Sequence, residues 1–124
     1  YDIDAHQNVK FALECARKEE VDFKFYQQDV LAGGFSIEST DLLFIDTLHT
    51  YEQLKQELSR HTDRVKKYLI LHDTTSFGYK NENENGGKGL IPAIDEFLVE
   101  NLGWIRHKVY EENNGLTVLK REEV

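Results

Sequence analysis

The stretch YLILHDTTSFG, residues 68–78, decides how this 124-residue chain is read. Tyr68 to Leu71 is an unbroken apolar run that passes straight into His72 and Asp73, then into Thr74, Thr75 and Ser76. A short run that is continuous rather than alternating is the pattern of a strand covered on both faces of a parallel sheet. DLLFIDTLHTYEQ, residues 41–53, repeats it: Leu42 to Ile45 ends on Asp46, with His49 three residues later. The two runs are expected to be adjacent parallel strands that bring ionisable side chains to one sheet edge.

The segment between them suits a parallel crossover. Thr50 with Gln53 has the form of a capping box, and Tyr51, Leu54 and Leu58 mark a helical stripe expected to reach Lys66 or Lys67. Towards the start of the chain, Val9, Ala12, Leu13 and Ala16 fall at helical spacing. Asp4 followed by Gln7 is a capping signal, so a helix is expected over Ala5 to Lys18. VDFKFYQQDV, residues 21–30, alternates Val21, Phe23 and Phe25 with polar neighbours and reads as a strand ending on Asp29, before a loop at Gly33 and Gly34.

Towards the other end, KNENENGGKG, residues 80–89, reads as a mobile, solvated cover, with closure over a substrate as the lesser alternative. A helix follows, with Pro92 in its first turn and Ile94, Phe97 and Leu98 facing inward. Trp104 to Tyr110 and Leu116 to Leu119 are expected to pair as an antiparallel hairpin with Asn114-Gly115 in its turn. The order of elements makes this an α/β protein with an open sheet in one domain spanning residues 1–124. In such sheets ligands sit beyond the carboxyl ends of the strands, where Asp29, Asp46, His72 and Asp73 all fall.

Composition narrows the function. A net charge of −8 repels a phosphate backbone, so nucleic acid is not expected as a partner. No apolar run reaches the length of a membrane span, and nothing within these residues resembles a secretory signal, so the expected location is the cytoplasm. The single cysteine, Cys15, reads as a small buried filler in a helix. His6, His61 and His107 read as structural or solvated.

YDID at the start, QQD at residues 27–29, FIDTLH at 44–49 and LILHDT at 69–74 together resemble the successive strand ends of class I S-adenosylmethionine-dependent methyltransferases. The likeness is to the branch that includes cephalosporin-hydroxylase-like and sugar O-methyltransferases. It implies a Rossmann-like, mostly parallel sheet closed by an antiparallel hairpin, and S-adenosylmethionine as cofactor. Asp2 stands where the family bonds the ribose hydroxyls, while Asp4 reads better as a helix cap. Gln28 and Asp29 stand at the adenine position. Asp46 and Asp73, with His72 beside them, match the residues that hold Mg²⁺ or another divalent metal. His49 matches a catalytic base for a hydroxyl of a sugar or other small-molecule substrate. The chain has Thr74 where relatives often carry an amide or acid, and His72 where some carry Glu, departures that suit a softer ion such as Mn²⁺ or Fe²⁺.

The family's first strand and its glycine-rich turn have no counterpart here. The resemblance therefore implies a C-terminal portion of a larger domain, in which a preceding segment or a neighbouring chain, as in a homo-oligomer, fills the first-strand slot, or else a rearranged sheet. Two further readings share the same residues. One is a metal-dependent hydroxylase or hydrolase that needs no S-adenosylmethionine, and the other is a non-catalytic module that keeps the fold and binds a ligand or partner.

Overall fold

Leu42 to Ile45 and Tyr68 to Leu71 lie side by side in a computed structural model that describes residues 1–123. They belong to strands β1 (Thr40–Ile45) and β2 (Val65–His72), parallel to each other, with Leu43 opposite Leu69 and Ile45 opposite Leu71. Both lie in the second of two compact units, which starts at Ile37. The first covers Tyr1–Ser36.

Between β1 and β2 runs helix α2 (Tyr51–His61). Thr50 caps it by accepting the Gln53 backbone N–H at 3.2 Å. The Gln53 side chain does not return the bond as a full capping box would, and donates instead to Glu57 at 2.9 Å. The helix stops at His61 rather than Lys66 or Lys67. Thr62–Arg64 tighten into a 3-10 turn, in which the Thr62 hydroxyl donates to the Leu58 carbonyl at 2.7 Å. Val65 is then buried opposite Thr40, so a β-branched apolar residue with a strand partner ends the helix.

After β2 come α3 (Leu90–Glu100), β3 (Trp104–Tyr110) and β4 (Leu116–Arg121). Pro92 sits in the first turn of α3, where its missing N–H leaves no helical bond unmade. The hairpin turns through Asn113, Asn114 and Gly115, all at positive φ. The sheet order is β1-β2-β4-β3, with one parallel and two antiparallel pairings. It is thus an open mixed sheet. The mostly parallel arrangement expected from sequence gives way because β4 returns from its hairpin directly alongside β2.

Cover on both faces is not found either. Leu69, Leu71 and Leu119 are buried with Leu54, Leu58, Ala93, Ile94 and Phe97 of the helices, and Phe97 meets Trp104 at 6.1 Å between ring centroids. On the opposite face Leu42 and Phe44 remain 44% and 51% exposed. The apolar runs are continuous, yet the two helices of this unit cover one side of the sheet.

In the first unit, helix α1 (Asn8–Lys18) begins three residues later than expected. Gln7, not Asp4, occupies its N-cap, without a side-chain bond, and the Asp4 N–H donates to Asp2 Oδ1 at 3.1 Å. No residue of α1 is buried, and Cys15 is exposed rather than a buried filler. Val9, Ala12 and Ala16 are themselves only half-buried, and Cys15, at the edge of their stripe, stays exposed. Residues 21–30 form no strand. Their pairing is one parallel bridge, Asp2 to Gln27, and Val21 and Phe23 stay exposed, so the alternation finds no second face to cover it.

Candidate functional site

Because β1 and β2 are parallel and in register, they end at the same edge of the sheet. Asp46 leaves β1 immediately after Ile45, and Asp73 follows His72 at the end of β2. Asp73 adopts φ +60°, a left-handed conformation that costs a non-glycine residue about 1 kcal/mol or more. Its carbonyl accepts the Phe77 N–H at 2.9 Å, which closes the turn.

His49 lies between the two carboxylates. Its Nε2 is 3.0 Å from Asp46 Oδ1 and 2.8 Å from Asp73 Oδ2, while Nδ1 is 2.5 Å from Glu82 Oε2. Phe77 stacks on the imidazole with centroids 5.0 Å apart and planes 8° from parallel. His72 completes the group, with Nδ1 at 3.0 Å from Asp73 Oδ2 and 3.6 Å from Asp46 Oδ2. Its other nitrogen, Nε2, lies 3.1 Å from the Asn113 carbonyl, an acceptor only, so Nε2 carries the hydrogen of that bond.

The turn that presents Asp46 and His49 is anchored from beneath. Thr47 Oγ1 lies 2.7 and 2.9 Å from the two oxygens of Glu57, a carboxylate of α2 with 1% exposure. Burial pushes the Glu57 pKa up, and the bonds from Thr47 and Gln53 only partly offset this. At His49 the balance runs the other way. Burial lowers its pKa, but hydrogen bonds to Asp46 and Glu82 and the charges of Asp73 and Glu82 outweigh that and hold it above 6.5. An imidazolium that donates from both nitrogens satisfies all three surrounding carboxylates.

The donor set also fits a divalent cation. Asp46, His49 and Asp73 each offer one ligand atom, all within 4.8 Å of one another. Two donors at right angles, each about 2.1 Å from an octahedral ion, stand about 3.0 Å apart, close to the separations around Nε2. Carboxylate oxygens with imidazole suit Mg²⁺, Mn²⁺ or Fe²⁺ better than a thiophilic ion.

Of the residues expected from sequence, Asp46, His49, His72 and Asp73 converge. Comparison with protein-family models, curated proteins and solved structures found no match. Asp2, Gln28 and Asp29 lie in the first unit, where Gln28 N–H donates to the Asp2 carbonyl at 2.7 Å. Asp2 Oδ2 faces His6 at 3.5 Å, and Asp29 Oδ1 accepts the Leu31 N–H at 2.9 Å.

Sequence reasoning missed Glu82 and Glu57. KNENENGGKG is no mere solvated cover: Lys80 bridges Lys88, Asn81 is buried, and the Glu82 N–H donates to the His49 carbonyl at 3.1 Å. Glu82 is one acid among several in a segment without periodicity. The closest signal was Asn81 with Asn85, Gly86 and Gly87, residue types that fold short loops on themselves. Glu57 was detectable as a carboxylate one position before Leu58, on the edge of the α2 apolar stripe.

Proposed function

We propose that the chain is part of a metal-assisted, S-adenosylmethionine-dependent O-methyltransferase acting on a hydroxyl of a sugar or other small polar molecule. The observation that carries the metal half of this reading is His49 Nε2, held within 3.0 Å of a carboxylate from each of two parallel strand ends. The methyltransferase half draws on the resemblance of the strand-end segments and on the terminal hairpin inserted antiparallel beside β2. A Rossmann-like sheet is part of the same proposal.

Asp46 and Asp73 would hold the cation, with His72 Nδ1 next to both. When bound, it would make a substrate hydroxyl more acidic. His49 is placed to receive that proton, on one condition. The hydrogen bonds and charges of the surrounding carboxylates raise the His49 pKa and so favour the charged ring. A bound cation would neutralise Asp46 and Asp73, weaken that preference and leave the Nε2 lone pair open to the hydroxyl proton. S-adenosylmethionine would supply the methyl group, its carbon–sulfur bond giving way to a carbon–oxygen bond, while His49 would take the hydroxyl proton. Asp2, Gln28 and Asp29 are the proposed nucleoside contacts.

Titration calorimetry with Mn²⁺ and Mg²⁺, and separately with S-adenosylhomocysteine, tests both halves. Cation binding that weakens at least tenfold in Asp73→Asn and Asp46→Asn is expected, and equal binding by these variants would remove the metal site. Failure of S-adenosylhomocysteine to bind with or without the ion would remove the methyltransferase reading. A metal-dependent hydrolase or hydroxylase would then remain, favoured by a specific feature: each imidazole has its far nitrogen on an acceptor, Glu82 or Asn113, as metal-binding histidines commonly do. Turnover in the absence of S-adenosylmethionine is its signature.

A further inference from the structure

Glu82 takes no part in the proton and methyl transfer proposed above, yet it meets His49 twice. Its backbone N–H donates to the His49 carbonyl at 3.1 Å, and its carboxylate lies on Nδ1. The loop that carries it is built to stay there. Asn81 accepts the Asn83 N–H at 3.1 Å and donates to Asn85 at 2.7 Å, and Asn85 accepts the Gly87 N–H at 2.9 Å. Gly89 admits no side chain, since a Cβ there would run into the Phe77 carbonyl, and a Cβ on Gly87 would press on the Asn81 and Asn85 amides. Farther along, the Lys88 carbonyl accepts the Tyr51 N–H at 3.2 Å, tying the loop to the first turn of α2. Phe77 then fixes the plane of the ring from one side.

A neutral imidazole has one N–H, and the partner of one nitrogen decides which nitrogen keeps its lone pair. We propose that Glu82 is a positioning residue: its carboxylate holds the hydrogen of His49 on Nδ1, so that the lone pair of Nε2 points between Asp46 and Asp73. This rests on the site reading above and extends it. Asp46 and Asp73 choose where the ring must act, and Glu82 chooses which nitrogen acts. Without it, a neutral ring would place its hydrogen on Nε2, facing two carboxylates that accept it readily. That hydrogen would compete with a cation for the two carboxylates, and the ring would have no lone pair to receive a hydroxyl proton. In the native ring the Glu82 contact is the shortest of the three, at 2.5 Å against 2.8 and 3.0 Å. The Glu82 carboxylate is half-buried, and among the described residues Nδ1 has no other hydrogen-bond partner.

Nitrogen-15 to proton correlation spectra of the imidazole rings, taken on the whole chain at a pH where His49 is neutral, report its tautomer directly. The wild type is expected to hold the hydrogen on Nδ1. Glu82→Ala is expected to move it to Nε2 or to a mixture, while Glu82→Gln, whose amide oxygen still accepts, keeps it on Nδ1. Wild type with the hydrogen on Nε2, or Glu82→Ala with an unchanged tautomer, would overturn the proposal. The wild-type spectrum decides even if Glu82→Ala fails to fold.

Mn²⁺ titration supplies the second readout. Glu82→Ala should bind about 10- to 100-fold more weakly, with Glu82→Gln recovering most of that loss. Equal affinity in all three proteins would also count against the proposal. If the wild type binds no Mn²⁺, the metal reading fails while the tautomer spectra still judge Glu82, so the two failures are told apart.

Discussion

Gly115 shows how one residue far along the chain can govern the acidic cluster. It sits at φ +98°, and a Cβ there would collide with the backbone and side chain of Thr75. The same turn accepts the Thr75 and Ser76 N–H groups on the Asn114 carbonyl, at 2.9 and 3.0 Å, and receives His72 on Asn113. Gly115→Ala should therefore cost about 1–3 kcal/mol or more in urea unfolding, combining left-handed strain with the clash. Asp73 presents the opposite case. At φ +60°, asparagine is tolerated almost as well as aspartate, so above the pH range where His49 is charged Asp73→Asn should leave the urea midpoint nearly unchanged while weakening cation binding at least tenfold. A large loss of stability in that variant would mean that Asp73 is there for the fold. His72-Asp73 and Asp46 with His49 were legible as residues because each stands at the end of an apolar run. Their separations were not, since a hydrogen bond between strand ends depends on register and side-chain rotamer.

Helix α2 connects the core to the cluster through Glu57. Its folded pKa is raised above that of an exposed glutamate, so the protonated form is favoured by folding. The corresponding stabilisation is fully present below about pH 4.5 and is lost as pH rises through the folded value. Glu57→Gln removes that dependence. Its stability relative to wild type should grow as pH is raised from 4.5, measured as the difference between paired denaturation curves; a constant difference would show that Glu57 does not titrate as described. Thr50→Ala, which removes the α2 cap, should cost about 1 kcal/mol. The cap was readable from Thr50 and Gln53, because an N-cap is a local arrangement of neighbouring residues. The end of α2 was not. Lys66 and Lys67 have ample helical propensity, and only the pairing of Val65 with Thr40 assigns them to β2.

Across the molecule, the two faces of the sheet should respond differently to substitution. Leu69→Ala, at a fully buried position, should cost about 2–5 kcal/mol, whereas Leu42→Ala, one strand away on the open face, should cost less than about 1 kcal/mol. Similar costs would show that Leu42 is covered in solution. The charge balance adds a global dependence on pH. Since His49 is held above 6.5 by the acids around it, its stabilisation is complete below pH 6.5 and disappears as pH climbs through the folded value. His49→Ala should flatten that part of the stability profile. Among the described residues, no helix is long and apolar enough to cross a membrane. Apolar periodicity and local capping were sufficient, from the amino-acid order alone, to place β1, β2, α2, α3 and the hairpin, because these signals live within a few residues. The Val21–Val30 segment misled for the same reason, since its alternation is local but a strand needs a partner along its length. The insertion of β4 beside β2, the open sheet face, and the arrival of Glu82 at His49 came only with the folded chain. Each depends on contacts between residues distant in sequence, and no local pattern encodes which of several acids will reach a given imidazole.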